Sequence, residues 1–208
     1  MRKILVASTN PGKLKELREM LDGDIEWVGL SDFPSVTEIE EDGKTFAENA
    51  RKKAIGYAKA TGLWTLADDS GLVIDALGGE PGVKSARFSG DKDKNRGLLD
   101  HKNMAKVLKL LQDVPKEKRT ARFMCRLCLA SPEKVLIETE GKLEGVIAES
   151  EAGENGFGYD PIFFVPELNK TVAQMTSEEK NAISHRGSAI RKFKPLLEQL
   201  VKMKSGRC

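Results

Sequence analysis

Three things are scarce in this chain of 208 residues: cysteine, net charge and long apolar runs. Only three cysteines are present, which fits poorly with the disulfide framework of a secreted scaffold. Cys125 and Cys128 form a C-x-x-C spacing in "ARFMCRLCLA", which on a helix start suggests redox chemistry or half a zinc site. The flanking residues read as a strand instead, where positions three apart point to opposite faces. No second pair exists, since Cys208 stands alone near the end, so the cysteines are expected to be structural. Lys and Arg number 34 against 32 Asp and Glu, so charge is abundant but nearly cancels, to a formal +2. That balance gives no whole-protein field to hold duplex nucleic acid, and any bound polyanion must be met by a local basic cluster. Nothing approaches membrane-spanning length, and the opening "MRKILVASTN" is too short for a signal peptide's apolar core. A soluble, cytoplasmic protein is expected, with a substantial core in one large domain or two closely joined lobes.

What is present alternates. Ile4-Leu5-Val6-Ala7 reads as a short buried strand. "STNPGK" follows, then a helix from Lys13 to about Leu21, with Leu14, Leu17, Met20 and Leu21 at helical spacing. "IEWVGL" reads as a second strand, "TEIEEDGKTF" as an acidic loop, and residues from about Thr45 to Ala60 as a helix. "WTLA" and "LVIDAL" read as two strands separated by Asp68-Asp69-Ser70-Gly71. "GGEPGVKSARFSG", without periodicity, is expected to be a long surface loop, and "LLDHKNMAKVLKLLQ" an amphipathic helix. After Pro115, "ARFMCRLCLAS", "KVLIETEGKLEGVIA" and "PIFFVP" are strand-like, and a final helix is expected from about Ser188 to Met203. The expected class is α/β, a mixed sheet flanked by helices.

Four stretches could carry chemistry. In "WTLADDSGLVIDALGG" two carboxylates interrupt strand-forming residues, and burying an unpaired carboxylate costs several kcal/mol or more. The group is either a plain turn or a carboxylate pair that holds a metal or activates water. "VASTNPGKLKEL" places a polar turn before a helix, where free amides, the dipole and Lys13 favour an anion. It is not a Walker A loop, because the glycine five residues before Gly12 is absent and Leu14 stands where Ser or Thr is required. Glu40, Glu41 and Asp42 precede a helix, where acids are favourable without function; they also suit Mg²⁺, which takes one or two carboxylates plus phosphate oxygens and waters. Asn49 and Lys53 share a face of the following helix. Finally, "GENGFGYDPIFFVP" interleaves two aromatics and an acid with glycines, offering a stacking face and an acceptor for a base N–H. His185 and Arg186 stand just before the last helix.

Taken together, "STNPGK", "TFAENA" with Lys53, "ADDSGL", "LGGEPGVKSARFSG", "GFGYDPIFF" and "EKNAISHRG" resemble the inosine triphosphate pyrophosphatase family, in its order, from Ser8 to Gly187. The resemblance implies a single domain over residues 1–208, an elongated α/β fold of two lobes with a cleft between them, usually a homodimer. It implies Mg²⁺-dependent hydrolysis of inosine, deoxyinosine or xanthosine triphosphate to the monophosphate and pyrophosphate, clearing aberrant purines from the nucleotide pool. Carried over, Ser8, Thr9, Asn10, Pro11, Gly12 and Lys13 hold phosphate and Lys53 supports the triphosphate. Asp69 is the expected general base and metal ligand, with Asp68 and Ser70 beside it; Glu40 or Glu41 joins the metal site. Phe157, Gly158, Tyr159 and Asp160 form a base platform, while Lys180, His185 and Arg186 read the base. The partner is a small nucleotide, not nucleic acid or membrane. Three rival readings remain: a pyrophosphatase for pyrimidine or modified nucleotides, an aspartyl-phosphate phosphatase, and a nucleotide-sensing or RNA-binding module whose affinity falls with salt.

Overall fold

The computed structural model describes residues 2–9, 13, 17, 19–21, 25–93 and 95–205, with side chains through Lys202. Asn10, Pro11 and Gly12 of the expected phosphate turn lie outside the described residues. So does much of the expected first helix, of which Lys13, Leu17, Glu19 and Met20 are helical.

The elements run β1 (Arg2–Val6), β2 (Ile25–Gly29), α1 (Phe46–Thr61), β3 (Trp64–Ile74), α2 (Arg96–Leu110), β4 (Thr120–Ala130), β5 (Val135–Ile147), β6 (Phe163–Val165), β7 (Lys170–Thr171), α3 (Ser177–Ile183) and α4 (His185–Ser205). Seven strands form one sheet in the order β2-β1-β3-β4-β5-β6-β7. β1 is parallel to both β2 and β3, whereas β6 is antiparallel to β5 and β7, so the sheet is mixed, as expected. β1 reads as a continuous apolar run because an interior parallel strand buries both faces. α1 is bounded by chemistry legible in the chain. Thr45 caps its first turn by accepting from the Glu48 N–H at 3.2 Å, and Gly62 ends it at φ 73°.

The chain divides into two compact units, the first of residues 1–69, 125–141 and 185–208, the second of 70–124 and 142–184. In the first unit alternate residues of each strand feed different apolar clusters. Ile4, Val6, Leu66, Cys125 and Phe193 share one, Leu5, Ala7, Ala54, Ala67 and Cys128 the other. The two cysteines therefore face opposite ways, both buried and neither in a disulfide, as the strand reading required. The second unit has a core of Leu72, Ile74, Met104, Val107, Phe123 and Phe163, with the Phe123 and Phe163 rings stacked 4.4 Å apart.

Three expectations need correction. Asp68 and Asp69 do not end a strand: β3 runs unbroken from Trp64 to Ile74 with the pair in its middle. Turn-forming side chains lose to the ladder here because charges from elsewhere in the unit partner the carboxylates. The stretch from Gly78 to Gly90 is not simply a surface loop, since Gly82–Arg87 is a 3₁₀ segment with Ser85 and Phe88 buried. Gly71 makes room for it: a Cβ there would meet the Ser85 hydroxyl at 2.3 Å. Finally, α4 begins at His185, so His185 and Arg186 form its first turn rather than preceding it, and the short helix α3 was not expected.

Candidate functional site

The first unit holds a buried cluster of charges on β3, α1 and α4. Asp68 and Asp69 are adjacent on β3 and point to opposite faces. Asp68, 2% exposed, has its Oδ2 2.9 Å from Lys13 Nζ and 3.3 Å from Nη2 of Arg186, itself 1% exposed. Burial alone would push this carboxyl up, but Lys13, Arg186 and Lys53 outweigh it and hold it well below the usual carboxylate range. The start of α4 that delivers Arg186 packs on β5 at Gly141, where a Cβ would come within 2.0 Å of the His185 carbonyl oxygen.

Asp69 meets α1 instead. Its Oδ2 accepts from Asn49 Nδ2 at 3.0 Å, and Asn49 Oδ1 in turn accepts from the Gly43 N–H at 2.7 Å. Lys53, one turn after Asn49, lies 3.8 Å from Asp69 Oδ1 and donates to Glu41 Oε1 at 3.0 Å. Burial pushes the Asp69 carboxyl up to about 6, with Lys53 opposing and Glu41 adding. Burial pulls Lys53 down, but Asp68, Asp69 and Glu41 reverse that, and its pKa is raised. Of the two glutamates left open by the sequence, Glu41 turns toward this cluster and Glu40 is exposed. Ser8 and Thr9 follow β1 at its end; Ser8 is half-buried and Thr9 exposed.

The second unit holds Ser70, half-buried on β3, and a separate cluster around residues 156–160. Asp160 is buried, and its Oδ2 accepts from the Phe157 N–H at 2.9 Å and from Lys180 Nζ at 2.8 Å. Lys180 Nζ also sits 4.5 Å from the centroid of the Phe157 ring, a cation–π contact. Gly156 adopts φ 79°, and a Cβ there would fall 2.1 Å from Asp160 Oδ2, so this turn admits glycine for both reasons. Phe157 is half-buried, whereas Tyr159 packs into the core and donates its hydroxyl to the Ser85 carbonyl at 2.7 Å.

The donor set suits a hard cation. Among the described residues no group of three His, Cys, Asp or Glu side chains forms a ready cage. Magnesium needs no such cage, since it takes one or two carboxylates and completes its shell with phosphate and water oxygens; Asp69 and Glu41 fit that demand.

A family profile described as the Ham1 family matches residues 4–196. The chain belongs to the Ham1 family. Within it, the dITP/XTP pyrophosphatase of Desulforamulus reducens is 50% identical over 200 residues, covering 95% of this chain and 96% of that protein. The dITP/XTP pyrophosphatase of Bacillus subtilis is 48% identical over 201 residues, covering 95% and 98%. Among solved structures, a HAM1 protein from Coxiella burnetii superposes with a TM-score of 0.86 at 43% identity, covering 96% of this chain and 100% of that one. The resemblance read from the motifs is thereby borne out.

In this Ham1 family chain the structure brings Asp68, Asp69, Lys13, Lys53 and Arg186 to one cluster, and Phe157, Asp160 and Lys180 to another; the resemblance had grouped Arg186 with Lys180 and His185, not with Asp68. Sequence reasoning missed Asp100, which accepts from the Gly158 N–H at 2.9 Å, and gave Asn49 no role. The signal for Asn49 was its spacing from Lys53; Asp100 left none beyond being a carboxylate on an amphipathic helix.

Proposed function

We propose that this protein is a nucleoside triphosphate pyrophosphatase that hydrolyses deaminated purine nucleotides, dITP, ITP and XTP, to the monophosphate and pyrophosphate. In this role it keeps aberrant purines out of nucleic acids. The observation that carries the reading is the buried Asp69–Lys53–Glu41 and Asp68–Lys13–Arg186 cluster, found in a chain about 50% identical to dITP/XTP pyrophosphatases over nearly its full length. Such grouped buried charge is costly as mere architecture and useful for a polyanion with its counter-ion.

In this reading Lys13 and Lys53, with Ser8 to Gly12, hold the polyphosphate. Asp69 with Glu41 would hold Mg²⁺, which would neutralise phosphate charge and orient the chain. Asp69 takes the proton of the attacking water as its oxygen adds to phosphorus; the α–β anhydride bond breaks and pyrophosphate leaves with the electron pair. Asn49 keeps Asp69 in one orientation for that transfer. Phe157 stacks on the purine, and Lys180, His185 and Arg186 are its readers. Donors facing a 6-keto oxygen are left unpaired against a 6-amino group, which discriminates against adenine. A cytoplasmic homodimer completes the reading; no helix among the described residues is long and apolar enough to cross a membrane.

The test is pyrophosphate release with Mg²⁺ across dITP, ITP, XTP, GTP, ATP and a pyrimidine triphosphate. The 6-keto purines dITP and XTP are expected at least about 100-fold above ATP in kcat/KM. Equal turnover of ATP, or a preference for the pyrimidine, overturns the reading. Asp69→Asn is expected to lower kcat by about 10²–10⁴ while nucleotide binding persists; turnover at the wild-type rate removes Asp69 from its role.

A further inference from the structure

α2 carries two buried polar side chains, Asp100 and Asn103, 8% and 1% exposed and on one face. The helix also packs Met104 and Val107 into the core, where buried polar groups are tolerated only when hydrogen-bonded. Both are bonded to the backbone of other segments. Asn103 Oδ1 accepts from the Ser89 N–H at 2.7 Å, and Asn103 Nδ2 donates to the Ala86 carbonyl at 3.4 Å, which ties the 3₁₀ segment to α2. Asp100 Oδ2 accepts from the Gly158 N–H at 2.9 Å, while Asp100 Oδ1 pairs with Arg96 Nε at 3.1 Å. Arg96 sits one turn earlier on the same helix, so the carboxylate is oriented from its own element before it reaches the loop.

Three successive residues of the aromatic loop thus each have an anchor. Phe157 N–H goes to Asp160, Gly158 N–H to Asp100, and the Tyr159 hydroxyl to the Ser85 carbonyl. Gly158 is the weak point: it adopts φ 66°, and a glycine has more backbone freedom to lose than any other residue. Its neighbour Phe157 is half-buried and outside the core that holds Tyr159. Phe157 is held by its own amide at Asp160 and by Lys180 over its ring, and the Gly158 amide adds the anchor on its C-terminal side.

We propose that Asp100 is the positioning residue of the base platform: by holding the Gly158 amide it keeps the Phe157 ring in the orientation on which a purine stacks. The inference deepens the proposed function and rests on it. Without the anchor the loop spends part of its time in orientations that do not bind, and apparent affinity falls by the competent fraction. The groups that handle the water and the polyphosphate are not touched, so the effect falls on KM and not on kcat.

Steady-state kinetics of the full chain on dITP with Mg²⁺, with a thermal melt of each variant, decides the matter. Asp100→Ala is expected to raise KM about tenfold with kcat within about twofold, as for a loop competent about a tenth of the time. Asp100→Asn keeps an acceptor in place but loses the charge that pairs with Arg96, and is expected to raise KM about two- to threefold at unchanged kcat. A merely structural residue would lower the melting temperature and leave the KM of the folded enzyme alone. That result, or a fall in kcat at unchanged KM, overturns the proposal. Should Asp100→Ala fail to fold, Asp100→Asn decides alone: a two- to threefold rise in KM at unchanged kcat supports the role, and a wild-type KM overturns it. A wild-type chain inert on dITP, ITP and XTP is a failure of the proposed function itself, visible before any variant is compared, and it takes this inference with it.

Discussion

Asp68→Asn tests whether the buried charges of β3 are as tightly coupled as their distances imply. The substitution keeps the shape of the side chain and removes its charge, leaving Lys13 and Arg186 facing a neutral amide. At an effective dielectric of about 20, contacts of 2.9 Å and 3.3 Å correspond to gross attractions of about 6 and about 5 kcal/mol. Desolvation offsets most of that, and removing one partner of a buried pair costs about 3–5 kcal/mol net. An amide still accepts one hydrogen bond, so about 3 kcal/mol is expected. In urea, with a slope of about 2–3 kcal/mol/M, the unfolding midpoint should fall by about 1–1.5 M. The measurement belongs in a chelating buffer, so that no cation contributes. Lys13→Met combined with Asp68→Asn should cost less than the sum of the two single changes, by about 2 kcal/mol, because the second change removes a charge the first left uncompensated. The pH dependence has a definite sign. Folding lowers this carboxyl, so its stabilisation is fully present above its ordinary unfolded pKa near about 3.9 and is lost as pH falls toward the folded value. The gap between wild type and variant should be flat above about pH 5 and close below about pH 4. A midpoint shift equivalent to less than about 0.5 kcal/mol, the usual range for surface changes, would falsify the coupling argument.

Arg122 supplies the contrast, because its contacts are as close but exposed. It lies 2.6 Å from Asp75 Oδ1 and 3.2 Å from Glu144 Oε2, yet Arg122→Ala should cost less than about 1 kcal/mol by urea unfolding, and less still at high salt. A loss as large as that of Asp68→Asn would mean that burial is not what sets the scale. Cys128 tests burial from another side. Its thiol is pushed up to about 12, first by burial and then by Glu138, with Arg51 opposing. At pH 8 the native thiolate fraction is then about one in ten thousand, so iodoacetamide should reach Cys128 only through unfolding. Peptide mapping that finds Cys128 alkylated in native protein at the rate of a free thiol would contradict its placement.

How much of this was legible in the chain depended on where the deciding partners lie. β1, α1 and α2 were read correctly because their signals are local: an apolar run, a Thr45 cap with a Gly62 stop, a helical period. The opposed cysteines followed from strand alternation alone. β3 was misread because Asp68-Asp69-Ser70-Gly71 consists of turn formers. What keeps it extended is supplied by remote residues, Lys13, Lys53, Arg186 and Asn49, and no window around the pair contains them. α3 failed differently, since its cue was local but short. Thr176 and Glu179 form a capping box at its start, visible as T-x-x-E, but seven residues are too few for periodicity to register. The Gly82–Arg87 segment has no apolar period at all and is held from outside by Asn103 and Tyr159.

The carboxylates at the centre of both clusters share one feature that bears on their use. Each already has an oxygen taken by a fixed internal donor: Asp69 by Asn49, Asp160 by the Phe157 amide and Lys180, Asp100 by the Gly158 amide. A carboxylate bound in this way has one orientation before any ligand arrives, so its remaining coordination is directed rather than searched for, and the entropy of orienting it is lost on folding instead of on binding. The cost appears as buried charge, which a purely structural chain would shed, because apolar packing of equal volume is as stable or more so. Retaining it on β3 and in the aromatic loop is the physical reason to look for the substrate at these residues rather than at the more numerous exposed ion pairs.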